Sequence, residues 1–162
     1  MEFDVNKTQF KIDNSIFEIF KKYIQDDNKK EESGGVLIGK VYDNHIEILD
    51  CSEPTQFDKR SRYNFNRSFK SAQEFINIKF KNSEGKEIYL GEWHTHPEND
   101  PKPSNTDLKN FEKSLKNNIL NSHTHFMIIV GITSIYIGIY IDKKQVDNLS
   151  ISNERIYMKV NF

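Results

Sequence analysis

Glu92-Trp93-His94-Thr95-His96-Pro97, followed by Ser104-Asn105-Thr106-Asp107, is the stretch that decides how this chain is read. On extended backbone, residues two apart face the same side, so His94 and His96 converge while Thr95 points away. Pro97 biases His96 toward the extended conformation that keeps them so. Neutral imidazole is a good zinc ligand, and one carboxylate completes a three-ligand set with a fourth position open to water. Asp107 is placed to supply it. Leu108, Phe111, Leu115 and Ile119 predict an amphipathic helix whose first turn holds Asp107. The loop containing Pro97, Pro101 and Pro103 is long enough to fold back toward the histidines.

Hydrolysis at such an ion needs a base and a donor for the developing oxyanion. Ser104, three residues before Asp107, is the candidate donor. The candidate base is Glu32, just ahead of Ser33-Gly34-Gly35-Val36-Leu37-Ile38-Gly39, where glycines permit close backbone approach at the start of a strand.

Outward from these segments the pattern alternates between strand and helix. Phe10 and Ile12 predict a short strand, and Ile16 to Ile24 carry helical spacing. Val36–Tyr42 and His45–Cys51 read as a hairpin turning at Asp43-Asn44. Ser52–Asn66 reads as irregular. Phe69, Ala72, Gln73, Ile76 and Phe80 mark a second helix, and Glu87–Trp93 a strand running into the histidines. Phe126–Val130 is apolar throughout, as in a strand buried on both faces. Ile135, Ile137, Ile139 and Ile141 share one face of the next strand, and Ile156–Phe162 alternates like a last edge strand. Interleaved elements of this kind predict an α/β fold around a mixed sheet.

The 162 residues fit one domain, residues 1–162, and the 36% hydrophobic content fits one core. A 29% charged fraction that nets to −1 argues against nucleic acid or an anionic membrane as the main partner. No apolar run is long enough to cross a bilayer, and Met1-Glu2-Phe3-Asp4 is no signal peptide. Cys51 is the sole cysteine, which fits a reducing cytoplasm and excludes a site built from several thiolates, the zinc deaminase Pro-Cys-x-x-Cys included.

Each of these residues also has a plainer reading. Ser104-x-x-Asp107 is a capping-box pattern, and one hydroxyl can serve both roles. Asp107 could merely complement a helix N-terminus. Glu31 competes with Glu32. His123-Thr124-His125 repeats the His-x-His theme without a downstream Ser-x-x-Asp and reads as a polar strand start. His45 reads as solvated, and Cys51 as a small packing residue. Lys59, Arg60, Arg62 and Arg67 form a basic cluster; the sharper reading makes Arg60 and Arg62 contacts to a protein substrate.

The spacing His-x-His, seven residues, Ser-x-x-Asp resembles the JAMM motif of the JAB/MPN zinc metalloproteases, matched without a gap by His94, His96, Ser104 and Asp107. At this chain's composition, chance supplies those four positions in on the order of one chain in a thousand. Glu32-Ser33-Gly34-Gly35 resembles the family's glutamate-bearing strand start, Glu32 being preferred to Glu31 on its spacing to the glycines. Trp93-His94-Thr95-His96-Pro97 is similar to the bacterial branch. The likeness runs from about Ile16 to Ile141. It implies a fold resembling the cytidine deaminases, a central mixed sheet flanked by helices. It implies one Zn2+ held by His94, His96 and Asp107, with Glu32 as general base and Ser104 stabilising the tetrahedral intermediate. It implies an isopeptidase or peptidase acting on a ubiquitin-like protein or its conjugates, in a bacterial conjugation or antiphage defence operon. Within the family the alternatives are a peptidase processing a sulfur-carrier protein, a DNA-associated relative and a non-catalytic MPN scaffold. The scaffold reading is disfavoured because no ligand is missing. The short passage from Asp107 to Phe126 leaves no room for the inserted segments that set linkage choice in some eukaryotic relatives.

Overall fold

The structure, a computed structural model, describes residues 1–160. Strands β1 (Glu2–Val5) and β2 (Thr8–Ile12) make a hairpin, and Asp13 then caps helix α1 (Asn14–Tyr23) by accepting the Ser15 N–H at 2.9 Å. Spacing along α1 puts Ile16, Phe17 and Phe20 on one buried face. The hairpin β3 (Gly34–Val41) and β4 (Ile46–Cys51) follows, then a small one, β5 (Lys59–Ser61) with β6 (Asn64–Asn66). Helix α2 (Phe69–Asn82) leads to β7 (Ile88–Thr95), and helix α3 (Asn105–Asn117) connects β7 to β8 (Thr124–Val130). Strands β9 (Ser134–Ile141) and β10 (Lys144–Ser152) and helix α4 (Asn153–Val160) complete the described chain.

Eight strands form one mixed sheet in the order β1-β2-β4-β3-β7-β8-β9-β10, parallel at β2/β4 and β7/β8 and antiparallel elsewhere. Helices α1 and α4 cover one face over a core that includes Phe17, Phe20, Trp93, Phe126, Ile128, Ile137 and Ile156. Phe111 and Leu115 of α3 cover Met127, Ile129, Tyr136 and Tyr140 on the other, where α2 lies against β3 and β7. Strand β8 is buried on both faces, as its unbroken apolar run predicts.

Four readings are corrected. Ile156 lies in α4, not in an edge strand: the Ser152 hydroxyl accepts the Arg155 N–H at 3.3 Å at the helix start, and Ile156 and Tyr157 turn toward the α1 side of the core. Residues 161–162 of that reading lie outside the described residues. The outer strand is instead β10, whose single buried side chain, Ile151, left little apolar pattern to read. Ser52–Asn66 contains the β5/β6 hairpin, and Ile119 lies fully exposed beyond the end of α3.

One irregularity sets up the site. Across β3 and β7, Leu37 pairs with Gly91 but Ile38 with Tyr89, so Leu90 is an extra residue, a bulge. Leu90 and Trp93 consequently both enter the α1-side core. Past the bulge, Glu92 and His94 emerge on the α3 side, where both line one cleft with Asp107. Gly91 sits at φ +139°, and a Cβ there would overlap the Phe126 carbonyl oxygen.

Candidate active site

The site lies at the carboxyl end of β7, where the α3 crossover to parallel β8 begins, the usual ligand position in sheets containing parallel strands. Pairing of β3 with β7 reaches Gly34 opposite His94, and the Thr95 N–H continues it with a 2.8 Å bond to the Ser33 carbonyl. That register carries Glu32 to the histidines. Ligand atoms of Glu32, His94 and His96 lie within 4.8 Å of one another. The His94 and His96 Nε2 atoms are 3.2 Å apart. Asp107 approaches both, with Oδ1 at 3.5 Å from His94 Nε2 and Oδ2 at 3.3 Å from His96 Nε2.

These separations fit an ion. Ligands about 2.1 Å from a tetrahedral zinc stand about 3.4 Å from each other. The donor set, two imidazoles and a carboxylate, suits zinc. His96 Nδ1 is buried with no hydrogen-bond partner, Glu98 Oε2 standing 3.9 Å away.

The electrostatics separate the two carboxylates. Burial pushes the Glu32 carboxyl above its ordinary value; the Asp107 charge adds to this and the two histidines oppose it. Burial also works to raise Asp107, but hydrogen bonds with His94 and His96 outweigh it and hold that carboxyl far below the usual carboxylate range. For His96, burial favours the neutral ring, and contact with Asp107 and the charges of Glu32 and Glu98 overcome it, so its net shift is upward. Between the histidines one carboxyl is thus held toward its ionised form, while burial favours the protonated form of the other.

Ser104 forms the complete capping box. Its Oγ accepts the Asp107 N–H at 3.1 Å and its N–H donates to Asp107 Oδ2 at 2.7 Å. The cap fixes Asp107 toward the histidines and leaves the hydroxyl proton free to donate.

Other named residues are placed as follows. Arg60 Nε donates to the Glu32 carbonyl at 2.9 Å and its Nη2 to Ser33 Oγ. Arg62 donates to the Asp27 carbonyl at 2.9 Å and lies over the Tyr63 ring. Glu31 stays outside the cluster. His123 pairs with Asp142 at the surface, and His125 is buried with neither ring nitrogen bonded. His45 contacts Asn44 and Glu47, and burial pushes the Cys51 thiol up. Two features escaped the sequence. Thr95 lies between the two histidines in sequence and is fully buried, and its hydroxyl accepts the Ser33 N–H at 2.9 Å and donates to buried Gln25 at 2.7 Å. Glu92 Oε1 accepts from Arg67 at 2.6 Å and from Tyr89 and Ser114, each at 3.2 Å. Its place two residues before His94 was the available signal.

A cleft of about 430 Å3, lined by Glu32, Phe65, His94, Asp107 and Asn110 among others, opens over the cluster. It shares Arg67, Glu92, Ser114 and Asn118 with a more apolar hollow of about 360 Å3 beside α2.

A mixed sheet between helix pairs, with two histidines at the end of a central strand and a carboxylate on the next helix, defines a JAB-type α/β domain. The family described as prokaryotic homologs of the JAB domain matches residues 22–140, and the chain belongs to it. A protein of Pseudomonas aeruginosa named CD-NTase/cGAS isopeptidase is 34% identical over 134 residues, 83% of this chain and 84% of the relative. One of the same name from Escherichia coli is 40% identical over 116 residues, 72% of each chain. The solution structure of protein DSY2949 from Desulfitobacterium hafniense shares the fold, with a TM-score of 0.52 and 17% identity over 86% of this chain and 89% of that one.

Proposed function

We propose that residues 1–162 form one domain acting as a zinc-dependent isopeptidase. The carrying observation is the convergence of the His94 and His96 Nε2 atoms on Asp107, with the Glu32 carboxylate beside them. His94, His96 and Asp107 would hold one zinc ion, which when bound acidifies water and polarises a carbonyl. Glu32, its carboxyl raised by burial, takes the proton from the attacking water and delivers it to the departing amine. Ser104 donates its hydroxyl hydrogen toward the oxyanion formed on the substrate carbonyl. The Asp107 backbone bond to Ser104 keeps that hydroxyl in place.

The substrate class rests on the relatives named CD-NTase/cGAS isopeptidase, which favour an isopeptide bond in a conjugate of a CD-NTase. A conjugate of a ubiquitin-like protein is the competing substrate. Arg62, on the turn of the hairpin beside the cleft, is a proposed contact to the acidic surface of such a protein. The setting we propose is a bacterial antiphage conjugation system in the cytoplasm, where one buried thiol stays reduced.

The test is incubation of the zinc-loaded chain with a CD-NTase conjugate and, separately, a ubiquitin-like conjugate, with and without chelator. Release of the CD-NTase from its conjugate, abolished by chelation, is the expected result. Release of only the ubiquitin-like protein would replace the substrate assignment. Stable binding without cleavage of either would replace the enzyme with a scaffold.

A further inference from the structure

Glu32 lies in a segment without regular structure, between the end of α1 and the start of β3. The ladder brings this segment to the histidines but ends at Gly34, one residue past Ser33, although a base must be held to a fraction of an ångström to act on a proton. We infer that the β5/β6 hairpin is the clamp that holds this base, and that Arg60 is its positioning residue, acting through the Glu32 backbone. The inference rests on the reading of Glu32 as the base.

The hairpin takes both backbone groups of Glu32. Its N–H donates to the Ser61 carbonyl at 2.7 Å, and its carbonyl accepts from Arg60 Nε at 2.9 Å. A second prong of the same guanidinium, Nη2, binds Ser33 Oγ. On its other side Ser33 is tied to the histidine strand, donating its N–H to Thr95 Oγ1 at 2.9 Å and accepting the Thr95 N–H at 2.8 Å. Thr95 Oγ1 donates to Gln25 Oε1 at 2.7 Å, and Gln25 Nε2 returns to the hairpin at the Arg62 carbonyl, 2.9 Å away. Gln25 is only 1% exposed, so its bond with Thr95, like that between Thr95 and Ser33, forms in a low-dielectric interior where it is strong.

The circuit therefore runs from hairpin to base segment to the strand between the two histidines and back. Packing seats the hairpin as well: the Phe65 ring comes within 2.8 Å of where a Cβ on Gly34 would stand. Two acceptors on adjacent residues require a planar fork, which lysine lacks. Both hydrogen bonds of the Arg60 guanidinium go to the Glu32 carbonyl and Ser33 Oγ, so its hold on the base runs through the backbone.

The experiment compares wild type, Arg60→Ala and Arg60→Lys as full-length, zinc-loaded chains. Both variants should lose about 10- to 100-fold in kcat with KM within about threefold of wild type and zinc content unchanged. Added guanidinium should restore part of the Arg60→Ala rate. In metal-free protein, amide exchange at residues 32–34 should quicken about tenfold or more in Arg60→Ala while β8 stays protected. An unchanged kcat with raised KM, or unchanged exchange at 32–34, overturns the inference and leaves Arg60 as a substrate contact. If Arg60→Ala fails to fold, Arg60→Lys decides on the same kcat and exchange criteria. A wild type that neither binds zinc nor cleaves any conjugate overturns the reading of the base itself, and the inference with it.

Discussion

Glu32 is buried and its carboxyl is raised by that burial, whereas Asp107 is held ionised by two imidazoles. The two carboxylates should separate cleanly under mutation. Glu32→Gln should keep its zinc, measured by metal analysis, and lose about 100- to 10,000-fold in turnover, the usual worth of a positioned base. Loss of metal along with activity would make Glu32 a ligand instead. His125 presents a different residue-scale problem, since both ring nitrogens are buried without partners. Burial lowers its pKa from 6.5 to about 4, with the charges of Lys143 and His123 adding to the effect. The sign follows from which state takes the proton first. The unfolded chain protonates near pH 6.5 and the folded chain only near 4, so this stability is complete above 6.5 and erodes as pH falls between those values. At about 1.4 kcal/mol per unit, the loss is on the order of 3 kcal/mol. Urea unfolding at pH 7.5 and pH 5 should show a large drop for wild type and a smaller one for His125→Leu. Parallel drops in the two proteins would remove the idea.

At the scale of elements, the bulge on β7 decides which side chains reach the site. Ordinary alternation would put Leu90, Glu92 and His94 on one face, whereas the extra residue sends Leu90 into the α1-side core and leaves Glu92 and His94 on the other side. Gly91→Ala should therefore cost about 2 kcal/mol or more, because φ +139° is closed to an L side chain and the Phe126 carbonyl blocks a Cβ. Chemical denaturation measures that cost, and a change under about 0.5 kcal/mol would mean the bulge relaxes without penalty. This element also shows what sequence can carry. The glycine inside an apolar strand was a visible bulge signal, but only the partner strand reveals the residue at which the phase slips. Elements rich in apolar residues, α1, β3, β8 and β9, were legible because burial marks them with a helical period or with a run of apolar residues. Strand β10 and the β5/β6 hairpin were not, since their side chains are mostly exposed and backbone pairing holds them. The tail misled because Ile156, Met158 and Val160 alternate in sequence while the chain there is helical.

For the molecule as a whole, the site joins segments distant in sequence: the residue before β3, the end of β7 and the first turn of α3. The convergence of His94, His96 and Asp107 was legible because short spacing confines them to one strand end and the next helix. Their support was not, because Arg60 meets Glu32, Thr95 meets Ser33 and Gln25 meets Thr95 only through pairings that span many residues. A ligand gripping these segments binds the folded chain and not the unfolded one, so it stabilises by mass action. At zinc about a hundredfold above its dissociation constant the gain is about 2.7 kcal/mol. For a domain of this size that corresponds to a rise of roughly 5–10 °C in Tm. Chelation of wild type should lower the Tm by that amount, and His94→Ala, His96→Ala and Asp107→Ala should each abolish the difference between zinc-loaded and chelated samples. Asp107→Ala should also lower the Tm of the metal-free protein, because it breaks the Ser104 capping box and leaves two imidazoles facing each other without their shared carboxylate. Zinc stabilisation surviving intact in all three variants would move the ion elsewhere and detach the proposed chemistry from the end of β7.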